Sequence, residues 1–409
     1  MKNGFEIAVI GGGASGLTCA VKLAKNKQLK VLVLERGERL GRKLSATGNG
    51  QGNLTNERVG HGGYFSVSSH GEKRAEEIVE KYSKADFLSF LESLGALCEA
   101  DEKGRVYPTS RQASSITDLF RYRLERAENV FVCTKALVES VERKNEEFVL
   151  RCLVEGETKT FYAKNVVLCT GGTAAKNFGT DGNGYKIAKA FGHTLTPLYP
   201  SLVQLKTEKE KIKTLKGIRV NDACVVAFSC GKEISREIGD VIFTDYGVSG
   251  DAIFRTSAFV ADKIDQGTIL EIDFLPNVSK ERLISVIAKK LESGANPKEV
   301  LCGIVNNQLG RVILSCAACA TPEAIACEVK SFTLPVLGSL GFDYAQVTKG
   351  GVPLCETDEN LQSKKQKGLY FAGEILDADG ECGGFNLQFA YSSASVVAEA
   401  LLQQGAKKQ

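Results

Sequence analysis

Gly11, Gly13 and Gly16 follow the apolar run IAVI, in the order IAVIGGGASG at residues 7–16. Glu35 closes a second apolar run, KVLVLE, 24 positions after Gly11. Between them Leu17, Ala20, Val21 and Ala24 recur at helical spacing. Glycines so spaced between a strand and a helix form a phosphate cradle. The first makes the tight turn, the second lets a pyrophosphate approach the backbone, and the third lets helix pack on strand. The helix start, with Ala14 and Ser15 in its first turn, offers unpaired N–H groups and the positive end of its dipole. A carboxylate at Glu35 accepts from both hydroxyls of an adenine ribose and repels a 2′-phosphate. The spacing predicts a βαβ unit that binds a dinucleotide.

Two later segments decide which dinucleotide. Residues 165–172, NVVLCTGG, read as a buried strand ending in Thr170, Gly171 and Gly172. Residues 368–391, GLYFAGEILDADGECGGFNLQFAY, read as a short strand, an acid, a glycine-rich turn and a helix. That helix carries Leu387, Ala390, Ala394, Ala398 and Leu401 on one face. A nicotinamide unit needs no distant C-terminal segment to complete its site. A flavin does, because its ribitol and isoalloxazine extend past the first βαβ unit. The cofactor read from the residues is FAD.

Longer blocks are more specific. GRKLSATGNGQGNLTN (41–56), GRVYPTS (104–110), AQVTKGGV (345–352) and GECGGFNLQFAYSS (380–393) stand in this order. With GGGASG, TGG and GLYFAGE they resemble the two-dinucleotide-fold flavoproteins related to fumarate reductase. Within those, the chain resembles the BaiN/YhiN-type family of FAD-dependent oxidoreductases, from residue 5 to the last helix. The resemblance implies that residues 42–54 wrap the FAD pyrophosphate and lie along the flavin. Arg42 and Lys43 then offset phosphate charge, and Asn49 and Asn53 meet the flavin edge. Arg36, Thr47, Gly48, Leu54 and Val138 belong to the same implied set. Gly373 and Glu374 stand where the family holds a ribitol hydroxyl. Gly383, Gly384, Phe385, Asn386 and Leu387 open the last helix, whose N–H groups would face the flavin pyrimidine. The chain departs from the family pattern at Gln51 and Gly52, where arginine and cysteine are usual. It departs again at Asp245 and Asp251, where histidine and proline are usual.

These residues need an α/β frame. The reading is a Rossmann-like FAD-binding domain, split in sequence over 1–192 and 345–409. A β-rich, barrel-like insert is expected over 193–277 and 330–344, and a helical insert over 278–329. Within the helical part, Cys316 and Cys319 form a CxxC. Flavin-linked dithiol reductases carry their pair just after the first βαβ unit, and the sequence shows no helix start beside this one, so it is expected to be structural. Only three histidines exist, His61, His70 and His193, and no metal site is expected.

Composition narrows the class. The chain has 409 residues, 43% hydrophobic and 25% charged, with 52 basic against 49 acidic side chains. That balance gives no electrostatic footprint for nucleic acid. No run approaches a membrane span, and no signal h-region is legible before EIAVIGGG. Thirteen scattered cysteines fit free thiols in a reducing, cytoplasmic setting. The expected activity takes hydride from NAD(P)H, bound transiently, and passes it to a small organic acceptor. The resemblance implies an activated C=C bond of the steroid or bile-acid enone type. Tyr246, Tyr107 and Arg105 are the expected catalytic residues, by motif. The alternatives are a flavin redox sensor without turnover and a dithiol reductase using Cys316 and Cys319. Whether the chain is a monomer or a homo-oligomer is left open by the sequence.

Overall fold

A computed structural model of the chain describes residues 4–406. The chain forms two compact units. Residues up to Leu198 and from Val347 onward make the first, and Tyr199–Gln346 make the second.

The first unit is built on a seven-stranded sheet. Its strands are β1 (Gly4–Ile10), β2 (Val31–Leu34), β3 (Val130–Cys133), β4 (Ala136–Lys144), β5 (Glu147–Val154), β6 (Glu157–Leu168) and β7 (Leu369–Phe371). Strand order is β3-β2-β1-β6-β5-β4, with β7 also on β6. Pairings among β3, β2, β1, β6 and β7 are parallel, with Ile7 opposite Val31, Ile10 opposite Leu168, and Leu168 opposite Phe371. β6 pairs antiparallel with β5, and β5 with β4. Every residue of β2 and the last four of β1 are buried, as a strand covered on both faces requires. Helix α1 (Ala14–Leu23) follows β1, and helix α2 (Phe385–Ala406) packs beside it. α2 is apolar almost all round, with Phe389, Tyr391, Ala394, Val397, Ala398 and Leu401 buried, which makes it a core helix. Its serine hydroxyls bond back into the turn before, Ser393 to Phe389 O and Ser395 to Tyr391 O.

The second unit is a closed six-stranded barrel. Around it run Leu205–Thr207, Gly247–Ser249, Lys232–Phe243, Arg219–Ser229, Ile269–Asp273 and Phe332–Ser339. Closure leaves no open edge. The inner side chains Val225, Ala227, Val241, Phe243, Leu270, Ile272 and Leu334 fill it. Between the fifth and sixth strands lie the helices Lys280–Glu292, Asn307–Cys316 and Pro322–Lys330. Ser279, Asn306 and Thr321 cap their N-termini through their side chains. The fold is thus the split Rossmann-like α/β unit with a barrel and helices inserted.

Because the first unit is interrupted, its two chain segments must be tied together. One tie is a half-buried polar cluster around Glu356. His193 Nδ1 lies 2.8 Å from Glu356 Oε2, and His193 Nε2 lies 2.7 Å from Ser363 Oγ. Thr194 donates to Glu356 through its N–H at 3.1 Å and its hydroxyl at 2.8 Å, and Lys365 Nζ donates at 2.7 Å. Burial alone would raise the Glu356 carboxyl, but the donors from Lys365, Thr194 and His193 outweigh it and hold the group at about 2. Burial lowers His193 below its ordinary 6.5, against the pull of Glu356. Both groups are therefore deprotonated more easily in the folded chain. Their stabilisation is present above the unfolded values and is lost as pH falls, for His193 below 6.5 and for Glu356 from 4.5 toward about 2. Glu356→Gln should lower the melting temperature at pH 7. The gap to the parent should close as pH falls from 4.5 toward about 2. Melting curves that run parallel across that window would remove Glu356 as the tie.

Candidate functional site

The loop from β1 to α1 has the geometry of a phosphate cradle, and the structure shows why each glycine stands there. Gly11 takes φ +103°, and a Cβ on it would lie 2.3 Å from the carbonyl oxygen of Cys169 on the neighbouring chain segment. A Cβ on Gly16 would lie 1.8 Å from the carbonyl oxygen of Gly11. Gly13 is different: a Cβ there meets nothing within 4 Å. Protein packing does not require glycine at 13, and the space beside it is open. Gly13 caps α1 without a side-chain bond, so no side chain of the cap residue meets the N–H groups of the first turn, Ala14 to Gly16. Glu35 accepts from Gly12 N at 2.8 Å and Gly37 N at 2.6 Å, which fixes the carboxylate beside the cradle.

Cations frame this region. Arg36 pairs with Asp181 at 2.6 Å, and Arg42 donates to Asn177 O at 2.9 Å. Lys43 Nζ lies 2.7 Å from Glu374 Oε2, while Glu374 Oε1 accepts from Thr348 N at 2.9 Å. Ser15 reaches β7's end: a Cβ on Gly373 would lie 2.6 Å from Ser15 Oγ. A Cβ on Gly172 would lie 2.4 Å from Thr348 Oγ1. Gly171, at φ +70°, would meet Thr180. Thr170 packs against Gly184, whose Cβ would lie 1.8 Å from its hydroxyl. The Val138 carbonyl accepts from Asn183 Nδ2 at 2.8 Å.

A second focus lies where three separate motifs converge. Gly48 and Asn49 take left-handed backbone, φ 57° and 54°, and stand exposed at the loop tip. A Cβ on Gly48 would lie 2.9 Å from Asn53 N and 3.5 Å from Tyr107 Cε1. A Cβ on Gly383 would lie 3.8 Å from Arg105 Cγ and 3.9 Å from Asn53 Nδ2. The residues of TGNGQGNLTN, GRVYP and GGFN therefore share one place. Asn53 Oδ1 is buried there with no partner among the described residues. Thr47 anchors the loop through its hydroxyl to Leu44 O at 2.7 Å, and Leu54 is buried.

Tyr107 is buried, and burial raises its phenol above the ordinary value against the pull of Arg105 and Arg111. It keeps its proton at neutral pH. Arg111 lies over its ring at 4.5 Å, and Arg105 is held by Asp101 at 2.6 Å. Asp101, Arg111 and Cys382, which acts electrostatically on Tyr107, escape the sequence reading. The signal for Asp101 is its i,i+4 spacing from Arg105; Cys382 stands in the GECGGFN block, immediately before Gly383.

Gly384 closes the turn before α2. It has φ +102°, and a Cβ would lie 2.4 Å from Thr55 O. Phe385 is buried against Tyr64, ring centroids 5.7 Å apart. Leu387 lies beside a small apolar cavity lined also by Ala14, Leu44, Leu54 and Tyr391. The Asn386 amide is fully engaged within the turn: Oδ1 accepts from Gly380 N at 2.9 Å, and Nδ2 donates to Gly380 O at 2.8 Å. Asn386 shapes the turn with its side chain.

The second unit holds the remaining candidates. Tyr246 sits in the hairpin bend Thr244–Gly247, where Thr244 N donates to Gly247 O at 2.9 Å. Asp245 pairs with Lys216 at 2.7 Å at the surface. Asp251 accepts from Asp240 N at 2.6 Å and pairs with Arg255 at 3.2 Å, a helix-start role. Gln51 is exposed. Gly52 is buried at φ +79°, and a Cβ would lie 3.0 Å from Ala113 Cα. Among the described residues no group of histidine, cysteine or carboxylate side chains could hold a metal, and no helix is long and apolar enough to cross a membrane.

Known proteins share this frame. The family model described as the HI0933-like protein Rossmann domain matches residues 5–400. The 3-dehydro-bile acid delta(4,6)-reductase of Clostridium scindens is 33% identical, over 98% of this chain and 99% of its own. The ribosomal RNA dihydrouridine synthase of Haemophilus influenzae is 30% identical, over 98% of this chain and 99% of its own. Among solved structures, the open conformation of a flavocytochrome c3 fumarate reductase superposes with a TM-score of 0.51 at 15% identity, covering 98% of this chain and 78% of that one. The Rossmann unit, the inserted barrel and the near-complete coverage of both relatives agree with the motif resemblance: the chain belongs to the HI0933-like Rossmann family.

Proposed function

We propose that the chain is an FAD-dependent reductase that adds hydrogen across a C=C bond conjugated to a carbonyl. The observation that carries this is the pair of full-length relatives. One is named for a reductase of a keto bile acid with Δ4 and Δ6 bonds, the other for making dihydrouridine from RNA. A steroid dienone and a uracil share that conjugated acceptor. What supports FAD is the open Gly13, the Glu35 carboxylate fixed by Gly12 and Gly37, and the unpartnered Asn53 Oδ1.

When bound, FAD would supply two-electron hydride chemistry, with NAD(P)H as the proposed donor. The chain supplies position, charge and the proton. The first turn of α1 and the cations Arg42 and Lys43 hold the diphosphate. Backbone N–H groups at the start of α2 stabilise negative charge beside them. Tyr107 Oη holds a proton for the carbon opposite the hydride, with Arg105 and Arg111 keeping the phenol in place. Tyr246 is the second proposed proton donor.

Identity of 33% over the whole chain favours an apolar enone of the steroid type as substrate. The 30% identity to the dihydrouridine synthase supports a second reading, a uracil base in RNA. Anaerobic mixing of the purified FAD protein with NADH or NADPH tests the donor, and rapid bleaching of the flavin is the expected result. Reduced enzyme should then be reoxidised by a 3-keto Δ4,6 bile acid and not by unmodified ribosomal RNA. The reverse preference establishes the second reading, and bleaching by neither nucleotide leaves a sensor. Glu35→Ala should cost roughly 1.5–3 kcal/mol of FAD affinity, the range of a charge-assisted hydrogen bond, read by equilibrium titration of apoprotein. Unchanged affinity would remove Glu35 from the site. Tyr107→Phe should lower the rate of acceptor reduction on the order of 10²-fold or more and leave flavin reduction by NAD(P)H intact. If Tyr246→Phe shows that split instead, the proton comes from the barrel unit.

A further inference from the structure

Cys316 and Cys319 lie in the helical part of the barrel unit. Cys316 is the last residue of the helix Asn307–Cys316 and packs, half-buried, on that unit's core. At Ala317 the backbone leaves the helix, φ −61° and ψ 133°, and residues 317–320 form a bend. Cys319 stands exposed on it. Two residues on, Thr321 begins the helix Pro322–Lys330, accepting from Ala324 N at 3.3 Å. Cys319 Sγ lies 3.4 Å from Thr321 Oγ1.

The expectation that no helix start adjoins this CxxC is therefore corrected. Thr321 followed by Pro322 and Glu323 is a helix start, with Pro at the first helical position. It sets a hydroxyl, a backbone N–H and the positive end of a helix dipole beside one thiol of the pair. Hydrogen bonds from the Thr321 side chain and backbone lower the Cys319 thiol below its ordinary value. Cys230, Cys302, Cys327 and Cys355 are exposed too, so exposure alone does not single out Cys319. What does is the cap beside it and a second thiol three residues back on a bent chain.

We propose that Cys316 and Cys319 form a redox-active dithiol, a modification site that closes to a disulfide by exchange with a low-molecular-weight disulfide such as oxidised glutathione. The Cys319 thiolate attacks one sulfur of the small disulfide; its S–S bond breaks and one thiolate leaves. Cys316 loses its proton and attacks Cys319 Sγ; the mixed disulfide breaks and the second thiolate leaves. Two protein thiols are oxidised and one small disulfide is reduced to two thiols. Cys319, exposed and thiolate-stabilised, is the attacking residue, and the half-buried Cys316 resolves the adduct. The product staples the end of one helix to the start of the next.

The test uses the whole FAD-loaded protein treated with oxidised glutathione and mapped by mass spectrometry of its peptides. Cys327→Ala isolates the pair, since all three thiols fall between Arg311 and Lys330. In that variant the peptide should lose two hydrogens. Adding Cys316→Ser should leave one glutathione on Cys319, and adding Cys319→Ser should leave neither ring nor adduct there. Adduct formation on Cys319 should outpace that on Cys230 by about tenfold. Thr321→Ala should abolish the advantage and Thr321→Ser should restore it. Equal rates on Cys319 and Cys230, or an adduct that persists with Cys316 intact, would overturn the proposal. Flavin reduction in the Cys316→Ser, Cys319→Ser double variant should stay within a few-fold of the parent. A loss of roughly 100-fold with FAD retained would assign the pair to turnover and overturn a separate modification site.

Discussion

The close approach of α1 to β1 is the contact on which the first unit depends. Gly16 lies so near Gly11 that no side chain fits between them, and a Cβ on Gly11 would collide with the carbonyl of Cys169. Helix, first strand and β6 are thereby locked at backbone distance. This fixes three things together: the parallel register of β1 with β6, the direction of the α1 N-terminus, and the height of the TGG segment beside it. A methyl group at either glycine would move the cradle and the neighbouring chain segment at once.

That lock lies in the N-terminal segment, yet the second focus draws on residues from 47 to 386. The chain leaves the unit after Leu198, completes a barrel, and returns at Val347. Its return is secured by backbone-directed polar contacts. Thr348 Oγ1 accepts from Thr173 N at 2.8 Å and Ala174 N at 2.9 Å. Asp377, fully buried, accepts from Val67 N and Ser68 N and from the Ser66 hydroxyl. A buried carboxylate with three donors is stable only in one geometry, so these contacts give register to a segment with few strand pairs. The Glu356 cluster does the same farther along.

The fingerprint, the split Rossmann unit and the barrel were legible because they rest on periodicity and on glycines that neighbouring backbone demands. Gly11, Gly16, Gly172 and Gly384 each stand where a Cβ collides with main chain or a fixed side chain. Side-chain direction was not legible. Asn386 reads as a ligand residue by motif, yet its amide closes on Gly380, and Thr170 turns to Gly184. Both outcomes depend on partners remote in sequence or on a turn whose shape is tertiary. The start of the helix Pro322–Lys330 is another case. The Thr–Pro–Glu signal was present, but the apolar cysteine run before it masked the boundary.

Gly52 has a consequence for how this chain relates to its kin. Its backbone is left-handed, and the start of the helix Ala113–Glu125 presses on the place a side chain would take. A side chain at this position is strained by the backbone and pressed against Ala113. A thiol at this position requires the loop to leave the left-handed region, the helix start at Ala113 to retreat, or both. The two sites are epistatic: each restricts which residues the other tolerates. In this chain the coupling joins two positions about sixty residues apart in sequence.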